Sequence, residues 1–180
     1  MRFLVGASAS ASYSCNDGGS GIDSCVGTVA NGGSLDTYTP GSFVLEVNAA
    51  DKAGNTASRS HAYTIGYGVC NHQEFGARRV GSVIPMKLQA CDVSGANLSR
   101  GTLVVTAVNI QKVSNSATSP VIDAGNANPD LNFRYDPTLF GGAGGYIFNM
   151  DTNGLTTGTY RLNFRMGSDP AVLSVPFELR

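Results

Sequence analysis

Tryptophan is absent from this chain of 180 residues, histidine occurs twice, and only 14% of residues are charged. Without tryptophan the chain lacks the commonest flat platform for stacking against a sugar ring. Two histidines, His61 and His72, leave little material for nucleophile–base–carboxylate catalysis, and neither a Gly-x-Ser-x-Gly elbow nor a His-Glu-x-x-His pair is present. The scarcity of Glu, Lys and Arg removes the polar faces that amphipathic helices need. No apolar run approaches the roughly 20 residues of a membrane-spanning helix. A net charge of −1 excludes electrostatic recognition of nucleic acid or of an acidic membrane surface as a general property.

Glycine and proline are plentiful, at 23 and 7 residues, while the hydrophobic fraction of 42% is enough for a packed core. Many turns and no helical faces indicate an all-β protein of short strands. Cys15, Cys25, Cys70 and Cys91 form two sequence-local pairs with no Cys-x-x-Cys spacing. Four cysteines allow three pairings, and pairing within each half is expected because each pair flanks strand patterns and closes a short loop. The oxidised state implies an extracellular setting. Met1 to Val5 is too short for a signal peptide, so a secretion signal is expected upstream in a longer parent, unless Met1 is an added start.

Residues 7–15 read Ala-Ser-Ala-Ser-Ala-Ser-Tyr-Ser-Cys, which places Ala7, Ala9, Ala11, Tyr13 and Cys15 on one side of a half-buried strand and four serines on the other. Phe43, Leu45, Val47 and Ala49 form a second inward set, followed by a turn at Asp51-Lys52-Ala53-Gly54-Asn55 and a return strand with Tyr63 and Ile65 inward. Gly66-Tyr67-Gly68 is the best boundary. Beyond it the inward sets are Ile84, Met86, Leu88 and Ala90; Leu131, Phe133 and Tyr135; Tyr146, Phe148 and Met150; Tyr160, Leu162, Phe164 and Met166; and Leu173, Val175, Phe177 and Leu179. Leu103 to Ile110 is a β-branched run, and 112–130 lacks a clear period. The expected fold is two tandem immunoglobulin-like antiparallel β-sandwich domains, residues 1–66 and 67–180.

Two family resemblances attach to these halves. Tyr13-Ser14-Cys15-x-Asp17, Ser20-Gly21-Ile22-x-Ser24-Cys25, Asn31-Gly32 and Val47-x-Ala49-x-Asp51-x-Ala53-Gly54-Asn55 together resemble the Ig-like repeats of secreted bacterial proteins, akin to hyaline repeats. The second half resembles the PxKF domain. Its naming motif stands as Ile84-Pro85-Met86-Lys87-Leu88, with Leu88 in place of Phe. Cys91-Asp92-x-x-Gly95-x-Asn97-Leu98-Ser99, Gly145-Tyr146-Ile147-Phe148-Asn149, Thr152-x-Gly154-Leu155 and Gly158-Thr159-Tyr160-Arg161-Leu162 support it. The resemblance implies a non-enzymatic appendage of a larger secreted bacterial protein, whose partners are neighbouring domains and surface polysaccharide or protein. Repeats like the first usually open with a further strand, so the first domain is expected to lack one and to expose a pairing edge.

The residue-level candidates are few. Asp17, Asp51 and Asn55 could offer oxygens to Ca²⁺, although calcium wants six to eight oxygen ligands and turn hydrogen bonding accounts for the same residues. No other metal or cofactor is expected. Lys87 falls out of phase with its apolar neighbours and should face outward. Asn132, Arg134, Arg161, Asn163 and Arg165 occupy outward phases and could form a polar, cationic face for an acidic glycan. The expected function is a non-catalytic extracellular spacer and interaction module. The alternatives are a polysaccharide or cell-surface binding module and, more remotely, a small secreted hydrolase with an unrecognised site.

Overall fold

The computed structural model describes residues 1–72, 76–124 and 131–180. The chain divides into two compact units, Met1–Gly66 and Tyr67–Arg180. The fold is all-β and immunoglobulin-like.

Unit 1 has one regular sheet of four strands: β1 (Arg2–Leu4), β2 (Ile22–Gly27), β3 (Gly41–Asp51) and β4 (Thr56–Gly66), in the order β1-β4-β3-β2. β1 runs parallel to β4, while the other pairs are antiparallel. The second layer is a short irregular ribbon. A bridge joins Ser10 to Ser34, Ala11 N–H donates to the Gly33 carbonyl, and Leu35 N–H donates to the Ala9 carbonyl. The alternation expected over 7–15 is present in the side chains, with Ala11 buried and the serines exposed, although only Ser10 enters a ladder. Small alanines bring the layers together without supplying much apolar area, so Phe43, Leu45, Val47 and Ala49 remain half-buried.

Tyr13 fastens the ribbon to β2. Its hydroxyl accepts from Gly27 N–H at 2.9 Å and donates to the Val29 carbonyl at 3.2 Å. A Cβ at residue 27 would lie 2.8 Å from the Tyr13 ring, which explains glycine there. The Cys15–Cys25 disulfide closes the same corner, with Cα atoms 5.9 Å apart.

Unit 2 contains two sheets. One is formed by β5 (Gly68–Cys70), β6 (Val83–Cys91), β10 (Arg134–Asp136) and β11 (Gly145–Asp151), in the order β10-β11-β6-β5, with β9 (Ile122–Asp123) also pairing to β11. The other is formed by β7 (Val105–Lys112), β8 (Thr118–Ser119), β12 (Gly158–Met166) and β13 (Leu173–Leu179), in the order β13-β12-β7-β8. Chain order crosses between sheets at β6–β7, β8–β9 and β11–β12, and every strand pair is antiparallel, as in an immunoglobulin sandwich. The segment with no clear period contributes β8 and β9; residues 125–130 lie outside those described.

The core of unit 2 follows the expected phases closely. Ile84, Leu88, Ala90, Tyr146, Phe148, Met150, Leu162, Phe164 and Met166 are all fully buried. Phe133 spans the layers, its ring 5.1 Å from Phe148 of one sheet and 5.7 Å from Phe164 of the other. Leu131 is less buried than its phase suggests because the residue sits at φ 57°, turned out of the strand.

Unit 2 should therefore hold most of the stability. Residues 67–180 expressed alone under oxidising conditions should unfold in one cooperative transition. Phe148→Ala should cost about 3–5 kcal/mol in denaturant unfolding, the range for truncating a buried aromatic, whereas half-buried Leu45→Ala in unit 1 should cost less. A non-cooperative fragment, or equal losses, would contradict this division.

Candidate functional site

The outer surface of the β13-β12-β7-β8 sheet carries a row of polar side chains with outward phases. β12 presents Arg161, Asn163 and Arg165 between the inward Tyr160, Leu162, Phe164 and Met166. Register places Arg161 opposite Gln111, Asn163 opposite Asn109 and Arg165 opposite Thr106. Asn163 Nδ2 donates to Asn109 Oδ1 at 2.7 Å, and Thr106 Oγ1 donates to Asn132 Oδ1 at 2.5 Å. Asn132 itself bridges to Thr106 outside the named strands, which extends the row past β7. A register shift between Asn163 and Phe164 pushes Val108 outward. Two guanidinium groups thus flank a band of amides on a flat sheet, beside the single carboxylate of Glu178 on β13.

Four of the five residues expected to form a polar face are brought together here. Arg134 is not among them. It stands on β10 in the other sheet, in register with Ile147 and Lys87, and pairs with Asp136 at 3.7 Å. Alternation along a strand distinguishes inside from outside but cannot tell which of two layers the outside belongs to. Lys87 is on that outer surface, as its phase suggested.

Asp17, Asp51 and Asn55 line one open groove of unit 1, about 400 Å³ in volume. The two carboxylates accept hydrogen bonds within turns. Asp17 Oδ2 accepts from Gly19 and Gly21 N–H; Asp51 Oδ1 accepts from Ala53 and Asn55 N–H, and Asp51 Oδ2 accepts from Asn55 Nδ2 at 2.7 Å. Among the described residues no group of three or more His, Cys, Asp or Glu is gathered as a metal would require. His61 is exposed on β4 opposite Leu45, and His72 follows β5 by two residues.

Other polar positions were not legible as buried. Gln89 falls on an outward phase, yet it is 1% exposed. Its Nε2 donates to the Gly144 carbonyl and its Oε1 accepts from Asn71 Nδ2, beneath a roof that includes the Cys70–Cys91 disulfide. Gly144, at φ 78°, could not carry a side chain, because a Cβ would lie 2.6 Å from the Tyr135 hydroxyl. Asp169 is buried and accepts from Tyr67 N–H at 2.9 Å and from Ala171 N–H at 2.9 Å. Nothing in its sequence context, a Ser-Asp-Pro turn, marks it as buried.

No family model matches the chain, and no curated protein matches it. Solved structures with some likeness include the titin Ig tandem A164-A165, with 9% identity over 77% of this chain and 61% of that one at a TM-score of 0.28. The Bacteroides ovatus SGBP-B protein of a mixed-linkage glucan utilization locus, in complex with a mixed-linkage heptasaccharide, aligns at 14% identity, 99% and 42% coverage, and a TM-score of 0.29. A chimeric titin Z1Z2-Z1Z2 tandem aligns at 12% identity over 100% of this chain and 94% of that one, with a TM-score of 0.30. The chain spans about three-fifths of the first and two-fifths of the second. The fold assignment rests on strand order and pairing, which do not depend on these shallow overlaps.

Turn aspartates give the molecule an acid limit. Hydrogen bonds from the Asn55 side chain and backbone hold the Asp51 carboxyl below its ordinary value of 3.8. The Ser94 side chain and Ala96 N–H do the same for Asp92, and the Thr138 side chain and backbone N–H for Asp136. A carboxyl depressed in the folded state adds stability that is complete above its unfolded value and is lost as pH falls through the folded one. The melting temperature should hold steady down to about pH 4 and fall below it. The double variant Asp51→Asn/Asp92→Asn should fall less steeply; an unchanged slope would contradict the assignment.

Proposed function

We propose that this chain is a non-catalytic extracellular module of a larger secreted bacterial protein, a hyaline-repeat-like unit followed by a PxKF-type unit. One observation carries the reading. The polar residues of the recurrent motifs hold turns and crossings together. Asn31 Oδ1 accepts from Tyr13 N–H, Asp92 Oδ1 accepts from Ser94 and Ala96 N–H, and Ser99 Oγ accepts from Ala90 N–H. Asn97 Nδ2 donates to the Ala143 carbonyl, and Thr152 Oγ1 donates to the Ser82 carbonyl at 2.6 Å. Asp17, Asp51 and Asn55 act likewise. These polar groups bond the chain's own turns and backbone. Such a module serves as a spacer between working domains, and two disulfides suit it to an oxidising exterior.

A second reading is favoured by one feature. Arg161 and Arg165 have no ion-pair partner among the described residues and stand beside the amides of Asn109, Gln111, Asn132 and Asn163. Guanidinium and amide donors on a flat sheet suit a carboxylated or sulfated polysaccharide.

Affinity electrophoresis of the 180-residue chain through gels containing neutral or acidic polysaccharide, with a parallel panel of hydrolase substrates, separates the readings. The spacer reading expects unchanged mobility and no turnover. Retardation by an acidic polysaccharide that disappears in Arg161→Ala/Arg165→Ala would establish the binding reading in its place. Turnover lost on replacing His61 or His72 would overturn both.

A further inference from the structure

Each sheet of unit 2 has edges where strand pairing stops, and an exposed edge is a template for pairing with another chain. β11 pairs with β6 along Val83–Leu88 on one side, but on the other side β5 reaches only Gln89–Cys91. Among the described residues no other strand pairs with β6. Successive residues of a strand address their backbone groups to opposite edges. Ala90 N–H donates to Ser99 Oγ and the Ala90 carbonyl accepts from Leu98 N–H, away from β5, so odd-numbered residues of β6 address the β5 side. Val83, Pro85 and Lys87 therefore face the open length of that edge.

The β13-β12-β7-β8 sheet has a similar edge along β13. Arg78 N–H donates to the Glu178 carbonyl and Arg180 N–H donates to the Arg78 carbonyl, so even-numbered residues of β13 address the side away from β12. Among the described residues that contact covers only the last residues of β13, and Ser174 and Pro176 face the part left open. Both prolines thus fall on the parity that faces outward. One residue along, either would have removed a ladder bond to β11 or β12 instead. The remaining edges are short. β10 has three residues and β8 two, each followed directly by a proline, Pro137 and Pro120.

We propose that Pro85, Lys87 and Pro176 are blocks to strand pairing, which keep the open edges of unit 2 from joining those of a second copy. Proline offers no N–H, and its ring fills the place that a partner's carbonyl would take. Lys87 adds a charge that a second β6 edge would double. The run Ile84-Pro85-Met86-Lys87-Leu88 then has two tasks on alternate residues: Ile84, Met86 and Leu88 fill the core, while Pro85 and Lys87 guard the edge. Recognition of these edges through an added strand is excluded by the same means. The blocks belong to the main chain of unit 2 and depend on neither reading of its function given above.

The test is sedimentation velocity of the 180-residue chain over a concentration series. Pro85→Val/Lys87→Val and Pro176→Val should each self-associate about tenfold more strongly than the wild type, since each frees an edge donor and removes a block. Any association through unit 1 is common to all variants and cancels in the comparison. Pro85→Lys restores the N–H but adds a charge at the same edge, and should associate no more than the wild type. Pro85→Ala serves as a second measurement that needs no association: the new amide at residue 85 should exchange with solvent at nearly the rate of unfolded chain. Unchanged association in both valine variants, association of Pro85→Lys equal to theirs, or protection of the new amide at residue 85 in the monomer would each overturn the proposal.

Discussion

The long strands of unit 2 each have an apolar side, as does β3 of unit 1, and an apolar side needs a second layer to cover it. Unit 2 meets that constraint with two full sheets whose inward residues are large. Phe133 illustrates how complete the closure is, because its ring touches an aromatic ring from each sheet. Unit 1 meets the constraint only in part. Its covering layer is a ribbon of small side chains held by Tyr13, a disulfide and a few backbone bonds. The outcome is a closed sandwich in unit 2 and a partly open one in unit 1.

Legibility in the sequence followed the same physics. Ile84, Met86, Leu88 and Ala90 could be read as inward because a period of two maps directly onto the sides of a strand. The same rule identified the buried side of 7–15, yet it could not say that these residues would lack a regular ladder, since ladder formation depends on a partner's reach and alanine pairs fix register weakly. Gln89 was misleading for a different reason. Its outward phase is correct, but Cys70, Asn71 and the Gly144 loop cover that side, and such a roof is a tertiary fact. Arg134 parted from Arg161, Asn163 and Arg165 because alternation carries no information about which sheet a strand joins.

The functional residues show a related limit. Asp17, Asp51 and Asn55 could equally supply oxygens to a cation or to neighbouring amides, and spacing alone does not choose. In the structure the amides of Gly19, Gly21, Ala53 and Asn55 donate to the Asp17 and Asp51 carboxylates. The same holds for Asp92, Asn97 and Thr152 in unit 2. A motif made of turn-forming residues describes a scaffold with high specificity while saying little about what the scaffold carries. The face of β12 that carries Arg161, Asn163 and Arg165 is a surface those turns do not use.

The short reach of β1 along β4 is where unit 1 is least closed, and residue-resolved amide hydrogen exchange of the 180-residue chain measures that edge directly. Alternation is expected along β4, with Arg59 and His61 protected by β3 and Ser58 and Ser60 exchanging at nearly the rate of unfolded chain. Uniform protection across residues 58–61 in the monomer would show the edge to be already covered and would contradict the account.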